Sequence, residues 1–312
     1  MSNAAVLSVV DGVPALPARE VLARHGKSFR FAGALLSAAA LDDAAVVYAF
    51  CRAVDDAVDD AADVGQARAE AAALLAEVST AAPPRPVVRA FLEVARRGSM
   101  DTGFALELVK GVQSDAEDVV RVVDDASLLH YCYRVAGTVG GLMCAVLEVR
   151  DARALPFAVD LGIGMQLTNI CRDVLEDARM NRRYLPLQRL RALDATLQDD
   201  DDLTHHRAGV KLVVADLLAL AERYYQSGER GLRFIPWRSR FAIFVAARVY
   251  RAIGRKLLRQ GGDPLQGRTS TTTAEKVWIA VAAAWRFWFL PRSGEHDASL
   301  HDSLRGLPGC QP

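Results

Sequence analysis

Three absences narrow the field before any motif is read. The five cysteines, Cys51, Cys132, Cys144, Cys171 and Cys310, are scattered, odd in number and free of any Cys-x-x-Cys pair. That argues against a disulfide framework or a thiolate zinc site, and for a reducing compartment with buried thiols. An excess of charge of one sign is missing too. Lys plus Arg equals Asp plus Glu at 38 each, so the chain as a whole has no pull on nucleic acid and any electrostatic function must be local. The third lack is a long apolar run. The opening "MSNAAVLSVVDGVPALPARE" has neither the basic start nor the apolar core of a secretory signal, which predicts a cytoplasmic protein. The most apolar later stretch, "VWIAVAAAWRFWFL" at 277–290, carries Arg286 and stops before Pro291, short of the roughly 20 residues of a spanning helix. A core or interfacial helix is expected there, and its aromatic and basic end suits peripheral contact with the inner face of a membrane.

Period-two alternation between turn signals is nearly absent as well, while helical periodicity runs almost throughout. The expectation is an all-α protein with helices at 32–60, 66–79, 86–97, 102–114, 124–149, 152–179, 205–230, 237–259 and 272–289. Breaks carry the usual punctuation, "AAPPRP" at 81–86, "RYLPLQ" at 183–188, "FIPW" at 234–237 and "GGDPLQG" at 261–267. None is long enough for an interdomain linker, so one domain is predicted. The run "DDDD" at 199–202 cannot share one helix face and reads as a solvated loop leading into a helix.

What is present is acid in an unusual place. "YAFCRAVDDAVDD" at 48–60 sets four aspartates in six positions behind an apolar run. Side chains three and four apart share a helix face, so Asp55 stacks with Asp59 and Asp56 with Asp60. Such like-charge pairs destabilise an isolated helix, and a solvated acidic face competes with a cation site as the explanation. A second stretch, "QLTNICRDVLEDARMNRRYLP" at 166–186, shifts the balance. Gln166, Asn169, Asp173 and Asp177 fall on one face of a segment whose flank, "FAVDLGIGM", predicts burial. A buried polar stripe without partners costs roughly 1–3 kcal/mol per group, so it should face a ligand, a metal or another polar stripe. Two Asp-x-x-x-Asp pairs on separate helices can oppose each other across a bundle and hold a divalent cation. Magnesium takes few carboxylates plus phosphate oxygens, and arginine forks complete an anion's coordination. Arg52, Arg172, Arg179, Arg182 and Arg183 flank the two pairs, which points to a diphosphate. Neither a Walker loop nor a complete dinucleotide fingerprint accompanies them, so the diphosphate is expected on something apolar. Small residues at 131–149, among them Ala136, Gly137, Gly140, Gly141 and Ala145, either leave room for a long ligand or mark close helix packing.

These stretches together resemble the squalene/phytoene synthases, which join two prenyl diphosphates head to head. "HGKSF" at 25–29, "YAFCRAVDDAVDD", "YCYRVAGTVG" at 131–140, the second acidic motif, "ARVYRAIG" at 247–254 and "AEK" at 274–276 occur in family order. The resemblance implies an isoprenoid synthase domain at 25–290 with a central apolar cavity, an N-terminal extension at 1–24 and a C-terminal tail at 291–312. It makes Asp55, Asp59, Asp173 and Asp177 the metal-binding aspartates for magnesium, with manganese as an alternative. Tyr48, Arg52, Tyr131, Gln166, Asn169 and Arg172 would contact diphosphate or line the chamber, and Tyr184 and Tyr250 would close over it. The implied reaction condenses two geranylgeranyl diphosphates to phytoene through a cyclopropyl diphosphate. Farnesyl diphosphate giving squalene, with NADPH, or dehydrosqualene is the alternative, and the doubled "DDAVDD" looks more like the phytoene branch. Terpene cyclases typically need an Asn/Ser/Glu triad that "NICRDVLED" does not supply, and non-catalytic helical relatives tend to lose acidic motifs that are intact here. The sequence departs from the family at Arg134, at Leu175 and in "MNRRYLP", which lacks the usual Gly-Arg before the tyrosine.

Overall fold

Short polar side chains start several of the helices. The Ser37 hydroxyl accepts from the Ala40 N–H (3.2 Å), the Asp63 carboxylate from Gln66 (2.8 Å) and Asp124 from Ser127 (2.8 Å), satisfying donors that the first helical turn leaves open. The computed structural model describes residues 36–194, 196–198, 202–290 and 294–310, with Val9, Val10, Val13, Pro14, Ala18 and Glu20. Among them are 11 α-helices and almost no strand. They are α1 (Ala38–Asp59), α2 (Val64–Val78), α3 (Pro86–Arg97), α4 (Gly103–Gln113), α5 (Asp125–Cys132), α6 (Thr138–Val146), α7 (Leu155–Arg179), α8 (Leu187–Leu193), α9 (Arg207–Gly231), α10 (Trp237–Arg259) and α11 (Thr273–Phe287). The "HGKSF" motif, at 25–29, lies outside the described residues.

Helix α7 is the axle. It packs on α6, α9 and α10, and Val159, Ile163, Leu167 and Cys171, each four apart, are sealed in the main core. Its region, Ala152–Arg179, is long and apolar enough to cross a membrane, but 61% of its apolar window is already buried inside the fold. At the other side of the bundle Phe50 of α1 stacks on Phe91 of α3, centroids 4.1 Å apart. Each such burial contributes about 1.5–3 kcal/mol.

The small residues between α5 and α7 serve packing and not an open channel. A Cβ on Gly140 would meet the Ala158 carbonyl oxygen at 2.1 Å, one on Gly162 the Ala136 carbonyl oxygen at 2.2 Å, and one on Gly141 the Phe104 ring at 2.5 Å. Absence of side chains there lets α6 press directly on α7 and α4. Between α5 and α6 the helix widens to one π turn, Tyr133–Gly137, with the Thr138 N–H on the Tyr133 carbonyl. Arg134, one of the departures, finds its counter-charge in Glu107 of α4 (3.0 Å), which also takes Lys110 (2.6 Å).

After α7 the chain turns at Asn181, whose φ of 62° is left-handed, a conformation asparagine tolerates better than most residues. That accommodates the missing glycine of "MNRRYLP". The strand Arg182–Arg183 then pairs in parallel with Val120–Arg121, which fixes Arg182 and Tyr184 against the α4–α5 connection.

Residues 294–310 pack along the bundle. Leu300, Leu304 and Cys310 join the main core, Tyr224 donates to the Leu300 carbonyl (2.8 Å) and Tyr133 to that of Pro308 (2.9 Å). Asp160 of α7, fully buried, receives His301 on Oδ1 (2.7 Å) and His296 (2.8 Å) and Ser227 (2.5 Å) on Oδ2. Burial alone would raise this carboxyl, but the three donors outweigh it and hold its pKa below the ordinary value. The five thiols are free, all buried but the half-buried Cys51, and burial pushes each of them upward, Cys144 and Cys310 to about 12. None is therefore a thiolate nucleophile at neutral pH.

Candidate active site

A cavity of about 240 Å³ opens where α1, α4, α5, α7 and the segment after α7 meet. Asp55 and Asp59 enter it from α1, and Gln166, Asn169, Asp173 and Asp177 from α7. Each set is spaced three or four residues apart, so one face of each helix delivers it. Helices α1 and α7 thus present two carboxylates each to one space. Val112, Val135 and Ile170 supply apolar wall.

The carboxylates feel one another. Asp55 is pushed up to about 7, first by burial and then by Asp59, Asp56 and Asp115 against the pull of Arg52. Asp177 also rises to about 7 by burial and by Asp173, with Arg182 opposing. Two cations answer the other pair, Arg182 on Asp59 (3.0 Å) and Arg268 on Asp173 (3.0 Å). Asn169 donates to Gln166 (3.2 Å), leaving its own buried carbonyl oxygen without a partner among the described residues. Glu176 has a similarly unmatched oxygen. Anionic oxygen donors in excess of cations, with an unmatched amide oxygen beside them, suit a hard divalent cation.

Tyr131 and Tyr184 both line the cavity, stacked at 4.5 Å. Their hydroxyls donate to the two oxygens of Asp115, at 2.8 and 2.7 Å. Asp115 is raised by burial, which those hydrogen bonds and Arg182 only partly offset.

Other expected residues stand in a ring behind the lining. Arg52 is turned to Asp56 (2.5 Å). Arg172 forks onto Asp173, Nε to Oδ1 at 2.7 Å. Tyr48 and Tyr250 are half-buried, close enough to Arg52 and Arg172 respectively for those charges to act on them, and neither lines the cavity. Arg179 points to solvent, while Arg183 is buried. Asp115 and Arg268 were not foreseeable. Asp115 follows the end of α4 in "SDAED" with no periodic partner, and Arg268 sits in a glycine-rich loop 95 positions from the carboxylate it meets.

One other group of ligating side chains exists among the described residues, Asp160 with His296 and His301. It lies 13 residues before Asp173 on α7, about 20 Å along the helix, and its carboxylate is already matched by three donors.

The family model described as squalene/phytoene synthase matches residues 22–275. A 15-cis-phytoene synthase from Enterobacter agglomerans is 37% identical over 270 residues, 83% of this chain and 90% of that protein. A phytoene synthase from Thermus thermophilus is 35% identical over 280 residues, 87% and 93% of the two chains. Among solved structures, a dehydrosqualene synthase in complex with ligand superposes with a TM-score of 0.77 at 28% identity, covering 87% of this chain and 95% of that one.

Proposed function

We infer the activity from the premise that this chain belongs to the squalene/phytoene synthase family: it condenses two geranylgeranyl diphosphates head to head into phytoene and releases diphosphate. Curated relatives at 35–37% identity over most of the chain, named phytoene synthase, support the product. The observation that carries the chemistry is the meeting of Asp55, Asp59, Asp173 and Asp177 on the wall of one cavity.

Those four carboxylates, with the Asn169 amide oxygen beside them, would hold divalent metal, for which magnesium is our reading. When bound, such an ion neutralises the charge that develops on a leaving diphosphate. The protein's own groups do the rest. Arg182 and Arg268 are held at the cavity by carboxylates that a cation can take over, which frees their guanidinium forks for phosphate oxygens. Arg172 and Arg52 keep positive charge directly behind the acidic pairs. Val112, Val135 and Ile170 supply a patch of wall that offers no nucleophile to an allylic cation formed beside it. The stacked Tyr131 and Tyr184 rings line the same space, with their hydroxyls occupied by Asp115.

The test is to supply purified protein and magnesium with geranylgeranyl or farnesyl diphosphate, with and without NADPH, and to identify the extracted hydrocarbon. Phytoene from the longer substrate without NADPH is expected. A second reading, dehydrosqualene synthesis, is favoured by the 0.77 TM-score to a dehydrosqualene synthase, and preferential conversion of farnesyl diphosphate would replace the first with it.

A further inference from the structure

All four tryptophans of the chain are exposed. Trp237, Trp278, Trp285 and Trp288 show 67–75% of their surface to solvent, joined by Val277, Val281 and Phe289. Large apolar side chains on this scale are rare on a surface that faces only water. At 100° per residue, the group from Val277 to Phe289, on α11 and the turn that continues it, falls within about 120° of arc. The opposite face, with Ile279, Ala280, Ala283 and Phe287, packs on α10. Trp237 belongs to the same patch. It starts α10, one turn before Phe241, whose ring meets Phe287 at 5.3 Å, and Phe287 in turn meets Trp288 at 6.4 Å.

The exposed charges of α10 and α11 are basic, and Glu229 of α9, the acid whose charge Arg286 feels, is half-buried in ion pairs with Arg248 and Arg251. Glu275 is bound to Lys256 (2.9 Å) and to the α11 capping box, and no acid follows it through Leu290. Arg238, whose guanidinium lies over the Trp237 ring at 5.5 Å, and Arg286 are both exposed. We propose that the exposed face of α11 with Trp237 is a membrane-docking surface that inserts its indole rings among the headgroups of an anionic phospholipid bilayer. Indole rings favour the boundary between acyl chains and headgroups, and the arginines complement anionic phosphate. A second copy of this chain is a poorer occupant, since two-fold pairing through the face would set the cationic rim against itself. The exposure and charge of this surface do not depend on which substrate the cavity takes. Its position is nonetheless apt. Arg268 at the site lies four residues before Thr272, the α11 N-cap, at most about 14 Å of chain, so the docked helix begins at the rim of the cavity.

Because the chain has no other tryptophan, its indole emission reports this face alone. With vesicles of equal parts phosphatidylcholine and phosphatidylglycerol, the protein should float, its emission should shift blue, and bromine-labelled acyl chains should quench it. Trp278→Ser/Trp285→Ser/Trp288→Ser should weaken vesicle binding at least about tenfold with the helical circular dichroism and turnover in detergent retained. Arg238→Glu/Arg286→Glu should lose the preference for phosphatidylglycerol over phosphatidylcholine alone. Wild-type emission that neither shifts nor quenches, or triple-variant flotation equal to wild type, overturns the proposal. So does sedimentation showing a dimer that the triple substitution converts to monomer, which would assign the face to a second copy.

Discussion

Removing a carboxylate from the cavity should make the metal-free protein more stable. Asp55 and Asp177 are held at about 7 against an ordinary 3.8, which means that ionising either one inside the fold is opposed. At about 1.36 kcal/mol per unit, the gap corresponds to roughly 4 kcal/mol each above pH 7. Asp55→Asn keeps the shape and removes the charge, but it also gives up the attraction of Arg52 and the hydration of a partly open cavity. A net gain of about 2 kcal/mol is expected, which for a chain of 312 residues raises Tm by about 3 °C. The pH dependence has a definite sign. A carboxyl whose folded pKa is raised contributes its stability fully below its unfolded value near 4 and loses it as pH rises through about 7. The variant's advantage is therefore absent near pH 4, grows through pH 7 and is flat above. Magnesium with inorganic diphosphate should stabilise the wild type by mass action and erase the difference, while turnover by the variant is abolished. Chemical denaturation in chelator across that range checks the reasoning. An Asp55→Asn protein that is equally or less stable than wild type at pH 8, or an advantage that does not change with pH, would refute it.

Three further outcomes follow from named contacts. Arg268→Ala should raise the inhibition constant for inorganic diphosphate about tenfold or more, the worth of a charge-assisted hydrogen bond, whereas Arg179→Ala, at a solvent-facing position, should leave it unchanged. Val135→Phe narrows the apolar wall of the cavity and should shift the ratio of kcat/KM toward the shorter prenyl diphosphate by about tenfold, measured by direct competition. Asp160→Asn should cost about 3 kcal/mol in denaturant unfolding at pH 7. Because the Asp160 pKa is lowered by its donors, that stabilisation exists above about pH 4 and is lost below it, so wild type and variant should converge in acid.

Helix positions were legible because apolar periodicity and capping residues are local properties; Pro86–Arg97 and Trp237–Arg259 appear as read. The aspartate pairs were legible for the same reason, since a spacing of four is a statement about one helix. Contacts across the bundle were not. Nothing near Asp115 announces two tyrosines, one of them 69 positions away, and the glycines at 137, 140 and 141 fit either a channel or a close approach until α7 is put beside them. The stretch 294–310 carries no helical period, and its docking rests on His296 and His301 meeting one aspartate 136 and 141 positions earlier. Arg172 and Tyr250 show a further limit: a motif identifies neighbours of the chemistry without ranking which of them touch the cavity.

The π turn at Tyr133–Gly137 has a consequence for how this chain can change. Its wider loop holds one more residue than an α turn would, and one residue is about 100° of rotation. Ahead of it, Tyr131 looks into the cavity; behind it, Gly140 and Gly141 look at neighbouring backbones and rings. Deleting a single residue within the turn would give a more regular helix and yet swing one half against the other, aiming glycines at the reactants and side chains at α7. The irregularity works as a key cut into the rod, so insertions and deletions here re-aim the site while substitutions merely re-line it.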